Sequence, residues 1–157
     1  MSWHRLMVLI CSLLFLYACS SGKEQDTNPK EDVIPGKVEL SDGWVRPGSK
    51  GMMSAVYLTI SNGTAKRDTL AEVSSDVAKR AEVHESYKGE NGMSGMRPAP
   101  NRIIEAGEEL YLQPGGLHIM LISLNKDLVP GDSVEIDFSF KQTGTKTVRM
   151  PVKAQNP

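Results

Sequence analysis

A histidine and a methionine stand two residues apart, at His118 and Met120, just after a Gly-Gly pair from which one leucine separates them. On a β-strand this spacing points both side chains to one face, with Cβ atoms about 6–7 Å apart, and one metal ion can bridge that gap. Upstream lie His84, the only other histidine outside the first eighteen residues, and the methionines Met93 and Met96. Imidazole and thioether groups without a thiolate form a soft, uncharged ligand set, which favours Cu(I) over zinc and hard cations.

The N-terminal segment is predicted to be a targeting signal and not part of the folded domain. One fixed positive charge precedes an apolar run at 6–17 that is short for a membrane span, as in a signal peptide over 1–18. The run ends in Leu-Tyr-Ala-Cys, which resembles a bacterial lipobox, so Cys19 is expected to carry lipid; the alternative is ordinary cleavage that leaves this thiol free. Residues 19–35 are polar and predict a flexible tether, and 36–157 predict one copper-binding domain.

Cysteine usage and charge exclude several classes of function. Cys11 leaves with the signal and Cys19 is used by the anchor, so the mature domain has no thiol for a disulfide, a CxxC pair, a zinc-thiolate site or a blue-copper site. Loss of Arg5 leaves 17 basic against 19 acidic residues, a net charge of about −2, and no basic stripe indicates nucleic acid. With two histidines left, no Ser-His-Asp arrangement is identifiable, so we expect no enzyme.

The domain is predicted to be all-β. Apolar and polar residues alternate with a period of two, most clearly over 134–140. Turn signals such as Asn62-Gly63 and Pro130-Gly131 separate the apolar runs, which is typical of an antiparallel β-sandwich. Only 75–80 is compatible with a helical turn. The predicted strands are 37–40, 55–61, 69–73, 80–85, 108–112, 118–124, 134–140 and 147–152.

The ligand candidates also fit a fixed pattern. After His84 come one residue and then ten further residues before Met96. Another twenty-one residues separate Met96 from the His-x-Met sequence at 118–120. This spacing and the sequence segments 43–47 and 55–62 resemble those of the periplasmic copper chaperones associated with the Cu(A) centre of cytochrome c oxidase. The resemblance implies a cupredoxin-like, Greek-key β-sandwich that holds one Cu(I) per domain. The implied ligands are His84, Met96, His118 and Met120, with Met93 and Met53 as candidate accessory residues.

The resemblance implies a metallochaperone of the cell envelope, anchored by lipid and facing the periplasm or extracytoplasmic space. Its expected acceptor is cytochrome c oxidase subunit II or a Sco-like assembly protein. His118 and Met120 are expected to form a rigid strand pair, and Met96 is expected to close the site from a loop. A strand methionine is ordinarily core filler, so a metal-independent lipoprotein that binds an envelope partner is the alternative. Of Met52 and Met53, one is expected to pack.

Overall fold

The structure is a computed structural model that describes residues 36–154. Contacts within the chain define two units, Met1–Lys30 and Glu31–Pro157, and the described residues lie in the second. The predicted signal peptide, the cysteine expected to carry lipid (Cys19) and the whole predicted tether over 19–35 fall outside the described residues. Within the part of the chain that is described, no helix is long and apolar enough to cross a membrane.

The described residues form ten strands and no helix. All eight predicted strands are present, although their ends differ by up to five residues, so the all-β prediction is confirmed. The helical turn considered at 75–80 is wrong, because residues 76 and 77 form a turn and the next residues begin an extended strand. The strands are β1 (Val38–Val45), β2 (Ser54–Asn62), β3 (Asp68–Ser74), β4 (Ala78–Lys88), β5 (Ser94–Pro98), β6 (Arg102–Ile104), β7 (Glu109–Leu112), β8 (Leu117–Leu124), β9 (Ser133–Phe140) and β10 (Gly144–Pro151).

The strands make one antiparallel sheet that curls into a nearly closed barrel. Their order is β1-β2-β8-β4-β3-β9-β10, so β8 lies between β2 and β4 through long crossovers of the Greek-key kind. The ends of the sheet meet where Val45 and Val152 form a parallel bridge, and the Lys153 N–H donates to the Val45 carbonyl at 3.0 Å. The three remaining strands are added at the side: β5 pairs β4, β6 pairs β3, and β7 pairs β2.

One face of the sheet surrounds the core. In β9 the side chains of Val134, Ile136 and Phe138 are buried while the residues between them are not, as the alternation predicts. Val83 of β4 and Ile119 of β8 also point into this core. His84 follows Val83 in β4, and His118 precedes Ile119 in β8. Both histidines therefore point to the opposite, outer face of the sheet.

A buried carboxylate fastens the start of β3 to the turn between β9 and β10. Asp68 is 1% exposed. Its Oδ1 accepts the N–H of Thr69 at 2.6 Å and of Gln142 at 2.9 Å, and its Oδ2 accepts the N–H and hydroxyl of Thr143 at 3.0 and 2.7 Å. Burial alone would raise the pKa of Asp68, but these hydrogen bonds to the charged form outweigh it and lower the pKa below the usual 3.8.

Replacement of Asp68 by Asn is expected to lower the free energy of unfolding by about 2 kcal/mol at neutral pH, because an amide matches these donors poorly. Since the folded-state pKa lies below the unfolded value, the carboxylate contributes fully at a pH above about 3.8 and loses its contribution as the pH falls through the folded pKa. The difference between wild type and Asp68→Asn should therefore shrink on acidification in urea denaturation. Asp137→Asn, on the surface of β9, is the control. An equal cost for both variants would contradict the role of Asp68.

Candidate metal centre

The centre of the site is a pair of histidines on adjacent strands. His84 of β4 is the direct Cα partner of His118 of β8, and their ring centroids are 6.3 Å apart with an interplanar angle of 56°. Directly opposed residues on paired strands project from the same face of the sheet. The expectation that a neighbouring strand supplies the second imidazole is therefore met by the geometry.

A tight turn sets the position of His118. Gln113 to Gly116 form a turn with Pro114 at its second position and Gly115, at φ 79°, at its third, closed by the Gly116 N–H to the Gln113 carbonyl at 3.1 Å. The Gly116 carbonyl then accepts the Ser86 N–H of β4 at 3.1 Å and contacts Nδ1 of His118 at 3.0 Å. A single carbonyl thus joins the turn to β4 and orients the imidazole.

The His-x-Met pair lies within one strand, and both side chains are nearly buried. Met120 lies two residues beyond His118 in β8 and is paired with Glu82 of β4 and Ala55 of β2. Although they project from the outer face, His118 is only 5% exposed and Met120 only 7%. Neighbouring side chains on three strands therefore restrict both groups.

Met96 lies on a strand, which corrects the expectation of a loop. It belongs to β5 and is paired with Ser86, so it shares the outer face with the histidines, yet its side chain is 57% exposed. The glycine next to it had indicated a loop, but a Cβ on Gly95 would lie 2.7 Å from the ring of Tyr87. This glycine makes room for a cross-strand aromatic ring and does not interrupt the hairpin.

The accessory candidates are farther from the histidine pair. Met93 lies in the exposed turn between β4 and β5, where its carbonyl accepts the Gly89 N–H at 2.7 Å. Met53 directly precedes Ser54, whose partner is Leu121, so it stands beside the end of β8 that follows Met120. Met52 and Met53 are both exposed, so the expectation that one of them packs is wrong. Met150, by contrast, is buried in the main core.

Glu85, which follows the first histidine, is directed away from the site. It lies on the opposite face of β4 from His84, and its Oε2 accepts the Nε and Nη2 of Arg97 at 3.2 and 3.0 Å. The same guanidinium lies 5.4 Å from the centroid of the Tyr87 ring. This carboxylate is thus committed to holding β4 and β5 together.

A second carboxylate, which the sequence reasoning missed, lies beside the histidine pair. Glu82 is two residues from His84 on the same face, and its Oε2 is 3.0 Å from Nε2 of that ring. Its other oxygen is 3.5 Å from Nη1 of Arg80. The spacing of two on a strand was the signal that could have identified it.

Aromatic rings support His118 from the other side. The Tyr57 ring centroid is 6.4 Å from that of His118, and Trp44 packs on Tyr57 at 4.6 Å. With Ala55 these two aromatic residues form a small buried cluster on the outer face, separate from the main core. Trp44 is buried and serves as a packing residue in this position. Tyr57 was missed because nothing in the sequence distinguished it from other strand residues.

The histidine separation is close to the value that one shared metal ion requires. With metal–nitrogen bonds of about 2.0 Å, the ring centroids lie about 5.2 Å apart at a tetrahedral angle and at most about 6.4 Å apart when the two nitrogens are on opposite sides of the metal. The observed 6.3 Å lies near the linear limit, so a four-ligand site requires the two rings to approach by about 1 Å. Among the described residues, no group of three or more His, Cys, Asp and Glu side chains is placed to hold a metal. Met96 and Met120 are the further donors on the face of the pair.

Comparison with known proteins places this arrangement in a family. Residues 38–152 match the family described as "Putative lipoprotein LpqE-like". The chain belongs to the LpqE-like family. The relative named "Putative lipoprotein Lxx21020", from Leifsonia xyli subsp. xyli, is 32% identical over 130 residues, which cover 80% of this chain and 77% of the relative.

Solved structures of PCuAC domains share the fold. The copper-bound PCuAC domain from PmoF2 superposes with a TM-score of 0.63 at 19% identity, over 78% of this chain and 97% of that domain. DR1885 from Deinococcus radiodurans superposes with 0.57 in its apo form, at 26% identity over 79% of this chain and 82% of that one, and with 0.59 in its Cu(I) form, at 24% identity over 78% and 80%. The resemblance to the Cu(A)-associated copper chaperones and the cupredoxin-like fold is therefore confirmed.

Substitution of Tyr57 by Ala is expected to lower the free energy of unfolding by about 3 kcal/mol, because it removes a buried ring between Trp44 and His118. The variant should also let the His118 ring adopt more orientations, seen as broadened or shifted ring signals in NMR spectra. Tyr57→Phe keeps the ring and should leave both measurements close to wild type. If Tyr57→Ala unfolds at the same urea concentration as Tyr57→Phe, the aromatic cluster does not support His118.

Proposed function

We propose that this protein is a Cu(I)-binding metallochaperone of the cell envelope that delivers copper to an acceptor. The observation that carries the proposal is the direct pairing of His84 with His118, with Met120 and Met96 on the same face of the sheet. We assign these four residues as the ligands of one ion. The copper-bound PmoF2 domain and the Cu(I) form of DR1885, which have the same fold, support this assignment.

The ligand chemistry favours the cuprous ion. Two thioethers and two imidazoles are soft and neutral donors, which suit Cu(I) better than Mg²⁺, Ca²⁺ or Zn²⁺. Sequence residues after Cys19 include no cysteine, so the site contains no thiolate that oxidation could convert to a disulfide. Redox cycling of the blue-copper kind is also disfavoured, because that chemistry depends on a cysteine ligand.

The uneven burial of the four side chains suits transfer of copper. His118 and Met120 are nearly buried in the middle of the sheet, whereas Met96 is more than half exposed on β5, which pairs only with β4. An incoming ligand from an acceptor can therefore replace Met96 first, while the two groups on β8 still hold the ion. Stepwise exchange of this kind avoids release of free Cu(I), and four ligands leave no open position for catalysis.

The membrane anchor and the acceptor are further parts of the proposal. Lipid on Cys19 and a tether over 19–35 would hold the domain at an extracytoplasmic membrane surface, and membership of a family described as lipoproteins supports this location. The Cu(A) site of cytochrome c oxidase, reached through subunit II or a Sco-like assembly protein, is the acceptor that the family resemblance implies.

The full chain is expected to bind one Cu(I) through two nitrogen and two sulfur atoms, because the four assigned residues place two imidazoles and two thioethers on one face of the sheet. X-ray absorption of the loaded protein measures this directly. Replacing His118 or Met120 by Ala should weaken Cu(I) binding by about 100-fold or more in anaerobic chelator competition, since each is a direct ligand.

Met52→Ala is the matched control, because this side chain is an exposed thioether that belongs neither to the four-ligand set nor to the accessory candidates. It should bind Cu(I) as wild type does. Equal losses in the ligand and control variants, or a first shell of only oxygen and nitrogen, would refute the site.

Deletion of the gene is expected to lower the copper content and activity of the copper-dependent terminal oxidase when copper is scarce, and added copper should restore both. The reason is that a carrier matters most when free copper cannot supply the acceptor by mass action. Wild-type protein should complement the deletion and His118→Ala should not. Full rescue by His118→Ala would show that copper binding is not what the protein contributes.

A further inference from the structure

The two candidate ligand histidines have different nitrogen atoms engaged by hydrogen bonds. For His118, Nδ1 lies 3.0 Å from the Gly116 carbonyl, and for His84, Nε2 lies 3.0 Å from the Glu82 carboxylate. A carbonyl and an ionised carboxylate only accept hydrogen bonds, so the engaged nitrogen of each ring must carry the hydrogen. In a neutral imidazole the other nitrogen then presents a lone pair. The free lone pairs are therefore at Nε2 of His118 and at Nδ1 of His84.

Glu82 is well placed to fix the His84 ring. It is the Cα partner of Met120, so it lies within the outer-face site, and it is only about one third exposed. One of its oxygen atoms contacts His84 while the other is 3.5 Å from Nη1 of Arg80. The carboxylate is thus held from both sides along β4. Metal-binding histidines commonly donate their second N–H to such a carboxylate, which sets the tautomer and raises the basicity of the ligating nitrogen.

We propose that Glu82 is a positioning residue that holds His84 in the Nε2–H tautomer, so that His84 binds Cu(I) through Nδ1 while His118 binds it through Nε2. The inference rests on the proposed copper function and adds to it the tautomer of each ligand and the residue that selects one of them. The hydrogen bond from Nε2 persists when the ion is bound. No displacement of Glu82 is needed for loading.

The negative charge of Glu82 adds an electrostatic contribution. Four neutral ligands leave the single positive charge of Cu(I) uncompensated, and the nearest carboxylate on the ligand face is the one bonded to His84. In a partly buried site an opposite charge at short range stabilises the ion more than it would in water. Arg80 reduces this contribution, although its guanidinium is mostly exposed and so more strongly screened by solvent.

Glu85 offers a matched control, because it is a carboxylate on the same strand that is bonded to Arg97 and lies on the opposite face from His84. Glu82→Gln keeps a carbonyl that can accept the Nε2–H but removes the charge, whereas Glu82→Ala removes both. Glu85→Gln removes a charge of the same sign without touching the site. Thermal unfolding of the variants reports whether each is folded.

The tautomers can be measured without copper. The sequence has three histidines, so the full chain labelled with ¹⁵N-histidine gives a simple long-range ¹H–¹⁵N spectrum at mildly alkaline pH. We expect His84 to show a protonated Nε2 and an unprotonated Nδ1, with His118 showing the reverse. In Glu82→Ala the His84 preference should be lost, and in Glu85→Gln it should be retained. The same tautomer in both rings of the wild type would overturn the proposal.

Copper binding supplies the second measurement. Glu82→Ala is expected to weaken Cu(I) binding by about 10-fold or more and Glu82→Gln by a smaller factor, while Glu85→Gln should match wild type. Tighter Cu(I) binding by folded Glu82→Ala would show that this carboxylate competes with copper, and unchanged binding would show that it has no effect on copper. Either result would overturn the role proposed for Glu82 but not the proposed copper function. Failure of the wild-type protein to bind Cu(I) would instead refute the proposed function itself, and with it any role of Glu82 toward the metal.

Discussion

The register between β4 and β8 is the constraint on which the candidate site depends. It places His84 opposite His118, and it places Met120 opposite Glu82, two residues along the strands from the histidine pair. A slip by one residue would turn each side chain to the other face, burying an imidazole in the apolar core and exposing a core residue such as Val83 or Ile119. The register is therefore determined by the same hydrophobic burial that holds the barrel together. No ligand-specific interaction has to select it.

The sequence predicted the candidate ligands better than it predicted their surroundings. Residue spacing together with the family resemblance indicated the histidines and methionines that the structure brings to one face, and two-residue alternation identified β9 almost to its ends. The strand that carries Met96 was not predicted, because Gly92 and Gly95 are also typical of loops. Only the position of the Tyr87 ring explains Gly95 as part of a strand. Such cross-strand contacts depend on pairing that one segment of sequence does not reveal.

Partners of the ligands were harder still to predict. A carboxylate two residues before a histidine is common on exposed strands, and its importance here depends on the ring orientation that brings Nε2 to Glu82. The Gly116 carbonyl is a backbone group, so no residue type reports it in the sequence. Two histidines that face each other on paired strands thus use different ring nitrogens in their hydrogen bonds. The difference arises from the β8 turn on one side and a strand neighbour on the other.

The position of β5 has a consequence for the behaviour of many copies of the domain together. This strand pairs with β4 on one side only, so its other edge presents backbone groups that a second molecule could pair with. Pro98, opposite His84, has no N–H to contribute to such pairing. The edge strand that exposes Met96 is in this way a poorer template for ordered stacking of copies. Exposure of this side chain at the sheet edge is thereby separated from a tendency to aggregate.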